Sequence, residues 1–284
     1  MNILITGATG FIGRQVAAAL ESAGHQLTKL SRPHFDLLQP DCPLPTGPFD
    51  LGIHLAWYVE PGRYLDSPLN DDWVRASLRL AQTVRCRRWL VAGTCFEYTM
   101  TNRPLRETDP AQPTTRYARA KLELLRHWQT LPGELVWARI FYQYGPFEDQ
   151  RRLVPHIITS LLRGQRAELT AGTQVRDFLH VEDVGTALAM VATSSLTGIV
   201  NIGSGTGVTV RHIAETIGEL IGRTDLLAFG AKPTPPHDPP YVVADTTRLR
   251  SLGWQPRYNL RSGLAQTIAW WKQQLVPNPT GPSS

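Results

Sequence analysis

The chain has 284 residues, 42% hydrophobic and 19% charged, which excludes a disulfide-stapled miniprotein and a chain disordered over most of its length. Lys and Arg number 29 against 24 Asp and Glu, a net +5 with no long basic run; this suits anionic small molecules at least as well as nucleic acid, and no zinc-finger, RNP or basic-zipper pattern is present. Three cysteines, an opening that already reads as a strand at Met1–Ile5, and no apolar run of the roughly 20 residues a bilayer requires lead to the expectation of a cytoplasmic protein without a membrane span.

Asn2–Thr6 is a short apolar strand pattern, followed by Gly7-Ala8-Thr9-Gly10-Phe11-Ile12-Gly13, a helical stretch Gln15–Ala23 stopped by Gly24, and a second strand Gln26–Leu30. Together they form one βαβ unit of the expected size. Further buried strands are predicted at Asp50–Leu55, Trp89–Ala92 and Leu135–Phe141, with helices at 70–86 and 116–130. This alternation predicts a parallel sheet covered on both faces. Arg85, Arg87 and Arg88 are expected at the end of the 70–86 helix, where cations complement its dipole. A helix over Leu153–Leu162, a strand at Ala167–Thr170 and a helix introduced by Val175–Val184 and running to about Thr193 follow. Ala231–Pro240 is too proline-dense for anything but an extended loop, and Pro277–Ser284 reads as a disordered tail.

Gly7, Gly10 and Gly13 stand three apart between a strand and a helix, where small residues let backbone approach a pyrophosphate and a helix N-terminus offers it unpaired N–H groups. Where an acidic residue would bind an adenosine ribose 2′-hydroxyl, this chain has Ser31 and Arg32, which can hydrogen-bond a 2′-phosphate; NADP is expected, with NAD as the alternative. Tyr117 and Lys121 are four apart and share a helix face. A phenol near its ordinary pKa of about 10 is a poor acid–base group at neutral pH unless a cation favours the phenolate, and Lys121 is that cation. Thr94 follows the Trp89–Ala92 strand at its carboxyl end, where open parallel sheets bind ligands. The plainer alternatives are a ligand-free turn, an exposed arginine, a surface Tyr/Lys pair and a threonine serving local backbone. His54 and His180 are expected in structural hydrogen bonds and Cys95 in packing; no metal-ligand spacing occurs.

Together these residues resemble the extended short-chain dehydrogenase/reductase superfamily, in its sugar-nucleotide epimerase, dehydratase and reductase branch. His54-Leu55-Ala56-Trp57, Arg139-Ile140-Phe141, Tyr144-Gly145-Pro146, Arg176 through Val184, Asn201 through Gly205 and Leu252 through Pro256 extend the likeness to residues 1–275. The resemblance implies an α/β fold, a Rossmann-type doubly wound parallel sheet with a smaller C-terminal α/β substrate domain: a dinucleotide-binding domain of 1–147 and 177–198, and a substrate domain of 148–176 and 199–276. It implies Tyr117 as the acid–base, Lys121 on the nicotinamide ribose and lowering the Tyr117 pKa, and Thr94 completing the triad. Cofactor contacts are implied for Gly7, Thr9, Gly10, Phe11, Ile12, Gly13, Ser31, Arg32, Asp36, Leu37, Leu55, Ala56, Trp57 and Phe141, and substrate contacts for Thr94, Tyr142, Arg176 and His237. Dimerisation through the helices at 70–86 and 116–130 is implied as well.

Three departures bear on the expected activity. Dehydratases of this kind carry Asp and Glu directly after the catalytic Thr, where this chain has Cys95 and Phe96; Tyr142 replaces an Asn, and Pro236-His237-Asp238 an Arg, that commonly contact the diphosphate. The leading expectation is an NADPH-dependent ketoreductase acting on the 4-keto group of a nucleotide-activated 6-deoxysugar. The alternatives are an NAD-dependent nucleotide-sugar 4-epimerase and a non-catalytic dinucleotide-binding sensor.

Overall fold

The computed structural model describes residues 1–236 and 238–275, so His237 and the 277–284 tail lie outside the described residues. In chain order the elements are β1 (Asn2–Thr6), α1 (Gly13–Ser22), β2 (Gln26–Leu30), β3 (Phe49–His54), α2 (Leu69–Thr83), β4 (Cys86–Thr94), α3 (Arg116–Trp128), β5 (Glu134–Ile140), β6 (Tyr142–Tyr144) and α4 (Leu153–Leu162). They continue with β7 (Ala167–Glu168), β8 (Val175–His180), α5 (Val181–Thr193), β9 (Gly198–Ile202), β10 (Gly207–Thr209), α6 (Val210–Ile221), β11 (Leu227–Ala228), β12 (Tyr241–Val242), α7 (Thr247–Arg250) and α8 (Leu260–Leu275).

Six strands pair in parallel in the order β2-β1-β3-β4-β5-β9. Ile3–Ile5 and Leu51–Ile53 are buried on both faces, which is why these runs are continuously apolar rather than alternating. α1 and α5 pack on one face of the sheet and α2 and α3 on the other. From β1 the chain first goes outward to β2, then returns to β3 on the other side of β1. That reversal opens a crevice at the carboxyl ends of β1 and β3, the place where doubly wound sheets take ligands.

The remaining chain builds a smaller sheet, β10-β8-β12 with β6 also on β8, a two-stranded β7-β11 pair, and a separate apolar cluster from α4, α6 and α8. Three expectations need correcting. The boundary placed at 198 cuts β9, whose pairing with β5 runs on to Ile202, while β8 belongs to the smaller sheet although 177–198 was assigned to the larger one. The helix expected from Val175–Val184 starts only at Val181, because 175–180 is a strand whose last residue, His180, caps the helix by accepting from the Glu182 N–H. Arg85, Arg87 and Arg88 do not close a helix: α2 ends at Thr83 and β4 begins at Cys86. Arg88 is instead buried, paired with Glu134 at 2.7 Å, and donates to the carbonyls of Ala192 (3.0 Å), Val191 and Leu196. It serves the C-terminus of α5, a helix distant in sequence, by the dipole logic expected for its own.

The larger and smaller parts also meet at Phe147, a half-exposed residue at φ 70°. Its ring lies 4.8 Å from that of Trp270 on α8, and the Arg14 guanidinium of α1 stacks on it at 3.9 Å. Among the described residues no helix is long and apolar enough to cross a membrane.

Candidate active site

The turn after β1 folds on itself. Gly7 has φ 73°, and a Cβ there would stand 2.8 Å from the Ala56 backbone nitrogen, so the turn and the chain after β3 lie backbone against backbone. A Cβ at Gly10 would meet only the Gly7 carbonyl within 4 Å, leaving this exposed glycine open toward solvent. α1 begins at Gly13 without a side-chain cap at Ile12. An uncapped helix start behind an open glycine backbone fits the pyrophosphate of a dinucleotide. Thr9 N–H donates to Ser31 Oγ (3.3 Å), which ties the turn to the end of β2, where Arg32 is exposed. Asp36 accepts from Leu38 N–H at 3.1 Å, while Leu37 is buried with its carbonyl accepting from Arg79.

At the end of β3, Leu55 N–H donates to the Thr6 carbonyl (3.2 Å), and the Trp57 indole donates to Asn70 (2.9 Å). His54 is fully buried between the Thr6 hydroxyl (2.7 Å) and the Ser77 hydroxyl (2.8 Å), as its structural reading expected. Burial first, and then the Lys121 charge, lowers its pKa to about 3.

Tyr117 lies in the first turn of α3, which Thr115 caps by accepting from Ala118 N–H. The Tyr117 N–H donates to the Leu65 carbonyl (2.8 Å), and the Tyr64 ring meets the phenol edge-on at 5.0 Å. Burial, then Tyr64, pushes the phenol well up, while a hydrogen bond with the Thr94 side chain pulls it down. One turn on, the Lys121 ammonium is 1% exposed, donates to the Ala92 carbonyl at 2.8 Å and lies 3.6 Å over the Trp57 ring. Burial lowers its pKa to about 7, and Glu97 acts in the opposite sense. The expectation that Lys121 lowers the Tyr117 pKa is therefore not met: its charge is turned to Ala92 and Trp57, and desolvation governs the phenol.

Thr94 ends β4 and starts a short 3-10 turn, Cys95–Glu97, accepting from Phe96 N–H at 3.3 Å. Cys95 is buried, and burial pushes its thiol up to about 12, consistent with packing rather than nucleophilic chemistry. Below the turn lies a residue that the sequence reading passed over. Glu97 is fully buried and accepts from Thr94 N–H (2.8 Å), the Trp137 indole (3.0 Å) and Arg139 Nε (2.7 Å). The spacing Thr94-x-x-Glu97 is that of a capping box, the one sequence signal that marks it.

Phe141 is buried in a cluster with Cys95, Tyr98 and Leu105. Tyr142, on β6, meets Phe96 edge-on at 6.0 Å, and the buried Arg176 lies over its ring at 5.4 Å. Arg176 is also ion-paired with Asp238, whose other oxygen accepts from Gln174 (3.2 Å). The structure thus brings Thr94, Tyr117, Lys121 and Trp57 together beside the glycine turn, and Tyr142 with Arg176 across from Phe96. Among the described residues no group of three or more His, Cys, Asp or Glu could hold a metal ion.

A doubly wound parallel sheet with a glycine turn at its switch point defines a dinucleotide-binding protein of the Rossmann class. The profile of the NAD dependent epimerase/dehydratase family matches residues 3–203, and the chain belongs to that family. It is 31% identical to GDP-L-fucose synthase 1 of Arabidopsis thaliana over 185 residues, 59% of this chain and only 56% of that relative's length. It is 28% identical to a dTDP-glucose 4,6-dehydratase of Streptomyces niveus over 96% of this chain and 93% of the relative. Among solved structures, MoeE5 in complex with UDP-glucose and NAD aligns with a TM-score of 0.79 and 26% identity, covering 97% of this chain and all of that one.

Proposed function

We propose that this protein is an NADPH-dependent ketoreductase that reduces the 4-keto group of a nucleotide-activated 6-deoxysugar. The observation that carries the reading is a buried, protonated phenol at Tyr117 beside Thr94, with no free carboxylate in the turn that follows. When bound, a reduced nicotinamide supplies the hydride. Tyr117 holds at its Oη the proton that the carbonyl oxygen needs as it becomes an alkoxide, and the Thr94 hydroxyl steadies the same oxygen. Lys121 reaches the nicotinamide ribose from the same helix face as Tyr117.

Elimination of water from the sugar would require a carboxylic acid and a base near Thr94. Cys95 and Phe96 supply neither, and Glu97 is committed to Thr94, Trp137 and Arg139. That favours reduction over the dehydration named for the Streptomyces relative. Similarity to a GDP-L-fucose synthase supports a nucleotide-activated 6-deoxysugar. Arg32 beside Ser31, with no acidic residue at the end of β2, supports NADP, although MoeE5 was solved with NAD. Tyr142 and Arg176 face the substrate in this reading, with diphosphate oxygens competing with Asp238 for Arg176.

The test follows NADPH absorbance while the purified protein meets GDP-, dTDP- and CDP-4-keto-6-deoxysugars, with the sugars analysed afterwards. Stoichiometric NADPH loss with one of them is expected. Interconversion of sugar isomers without NADPH loss would replace the reductase with an epimerase that retains NAD. Tight dinucleotide binding with neither result would leave a sensor.

A further inference from the structure

Among the described residues the buried Lys121 ammonium makes one hydrogen bond, to the Ala92 carbonyl at 2.8 Å, and no ion pair. Its other close neighbour is aromatic: Nζ lies 3.6 Å over the centre of the Trp57 ring. Trp57 is a half-buried residue in the segment that follows β3. The same indole meets the Tyr117 ring edge-on at 6.4 Å and the Trp73 ring of α2 at 5.8 Å. One side chain thus stands beside both members of the Tyr117–Lys121 pair.

Trp57 is held there from a second side. Its indole N–H donates to Asn70 Oδ1 at 2.9 Å, and Asn70, fully buried at the start of α2, donates from its amide to the carbonyls of Tyr64 (2.7 Å) and Ser67 (2.9 Å). The two carbonyls demand the donor end of the amide and the indole its acceptor end, so neither group can turn over without leaving a polar atom unpaired. The ring face presented to Lys121 is therefore fixed. A buried ammonium with a single hydrogen bond is costly, and an aromatic face within about 6 Å offsets part of that cost, tryptophan most of all. A carboxylate in the same place would favour the charge more strongly, yet it would also take up the N–H donors. The ring favours the cation while adding no acceptor that competes with a hydroxyl group, and an aliphatic side chain would only pack.

We propose that Trp57 is a positioning residue of this site: oriented by Asn70, its indole face seats the Lys121 ammonium and leaves the remaining N–H donors of that group for the ribose hydroxyls of the dinucleotide. This rests on the reading of Lys121 as a cofactor contact. Trp57 acts through Lys121, whereas the family resemblance implies a direct contact with the cofactor, and the two roles separate in experiment.

The experiment has two readouts. The first is a 1H–13C correlation spectrum of the lysine ε-methylenes on the protein without nucleotide at pH 6. The chain has four lysines, so Lys121 is assignable from the signal lost in Lys121→Met. Its ε protons are expected upfield of the other three because they lie over the indole; the displacement is expected to disappear in Trp57→Leu and to persist in part in Trp57→Phe. An undisplaced Lys121 signal in wild type overturns the proposal. The second readout is NADPH affinity by fluorescence. Trp57→Leu is expected to weaken it about tenfold and Trp57→Phe much less, since phenylalanine keeps a ring face. In a Lys121→Met background the same Trp57 substitutions are expected to add nothing, because the group they act through is gone. A full loss in that background means that Trp57 touches the cofactor directly, and overturns the proposal as well. If Trp57→Leu fails to fold, Trp57→Phe measured in both backgrounds answers the same question. If wild type shows the displaced signal but binds no NADPH, the cofactor reading fails and the seating of Lys121 on Trp57 stands.

Discussion

Buried charge is used in two ways on the two sides of the cleft. In the smaller sheet, Asp177 is fully buried and saturated: its oxygens accept from Ser204 N–H (2.7 Å), Ser204 Oγ (2.6 Å), Gly205 N–H (3.0 Å) and Ala244 N–H (3.1 Å). Beside it, Arg176 is neutralised by Asp238. On the larger sheet, Lys121 and Tyr117 are buried too, yet Lys121 has one carbonyl and an aromatic face for company. A saturated charge holds the chain, whereas an under-partnered one costs stability and is available for chemistry.

The sharpest test of that contrast is Tyr117→Phe, expected to cut turnover by about 10³-fold while NADPH affinity and melting temperature stay near wild type. Survival of full turnover would show that the under-partnered side is not the reacting side. Asp177→Ala is expected to do the reverse, destabilising by about 3 kcal/mol in urea unfolding because four donors lose their acceptor, with turnover per folded molecule unchanged.

His54 joins the two behaviours, being hydrogen-bonded on both nitrogens yet forced to stay neutral. The unfolded chain protonates this histidine below its ordinary value of 6.5, and the folded chain not until about 3, so stability is lost as pH falls through that window. Between about pH 7 and 5 the loss is expected to reach about 2 kcal/mol and to vanish from the difference curve with His54→Gln. The smallest effect is at the exposed rim: Arg32→Ala is expected to weaken NADPH about tenfold and leave NADH unchanged, measured as dissociation constants. Equal losses for both nucleotides would take Arg32 away from the 2′-phosphate.

The parts of this molecule that were legible in the sequence are those built from neighbours in the chain. β1, the glycine turn and α1 follow from a local pattern, and the Tyr117–Lys121 pair from helical spacing. Arg88 was misread because its partners, the carbonyls of residues 191, 192 and 196, are brought to it only by the sheet. Glu97 was overlooked although its Thr-x-x-Glu spacing was visible, since the fate of a capping box as the floor of a site depends on Trp137 and Arg139 from the next strand. The pairing of Arg176 with Asp238 is likewise a fact of folding rather than of motif. The direction of the Tyr117 shift required knowing how completely the phenol is buried.

Phe147 joins Arg14 near the start of the chain to Trp270 near its end, at a left-handed backbone angle that glycine would adopt without strain. Contacts that link such distant stretches carry a high loop-closure cost, so this clasp is expected to form late in folding. Its loss is expected to appear almost wholly as faster unfolding, with the refolding rate unchanged. One aromatic ring on the surface then sets how long the folded molecule lasts, and equilibrium stability falls by the same factor because refolding is unchanged.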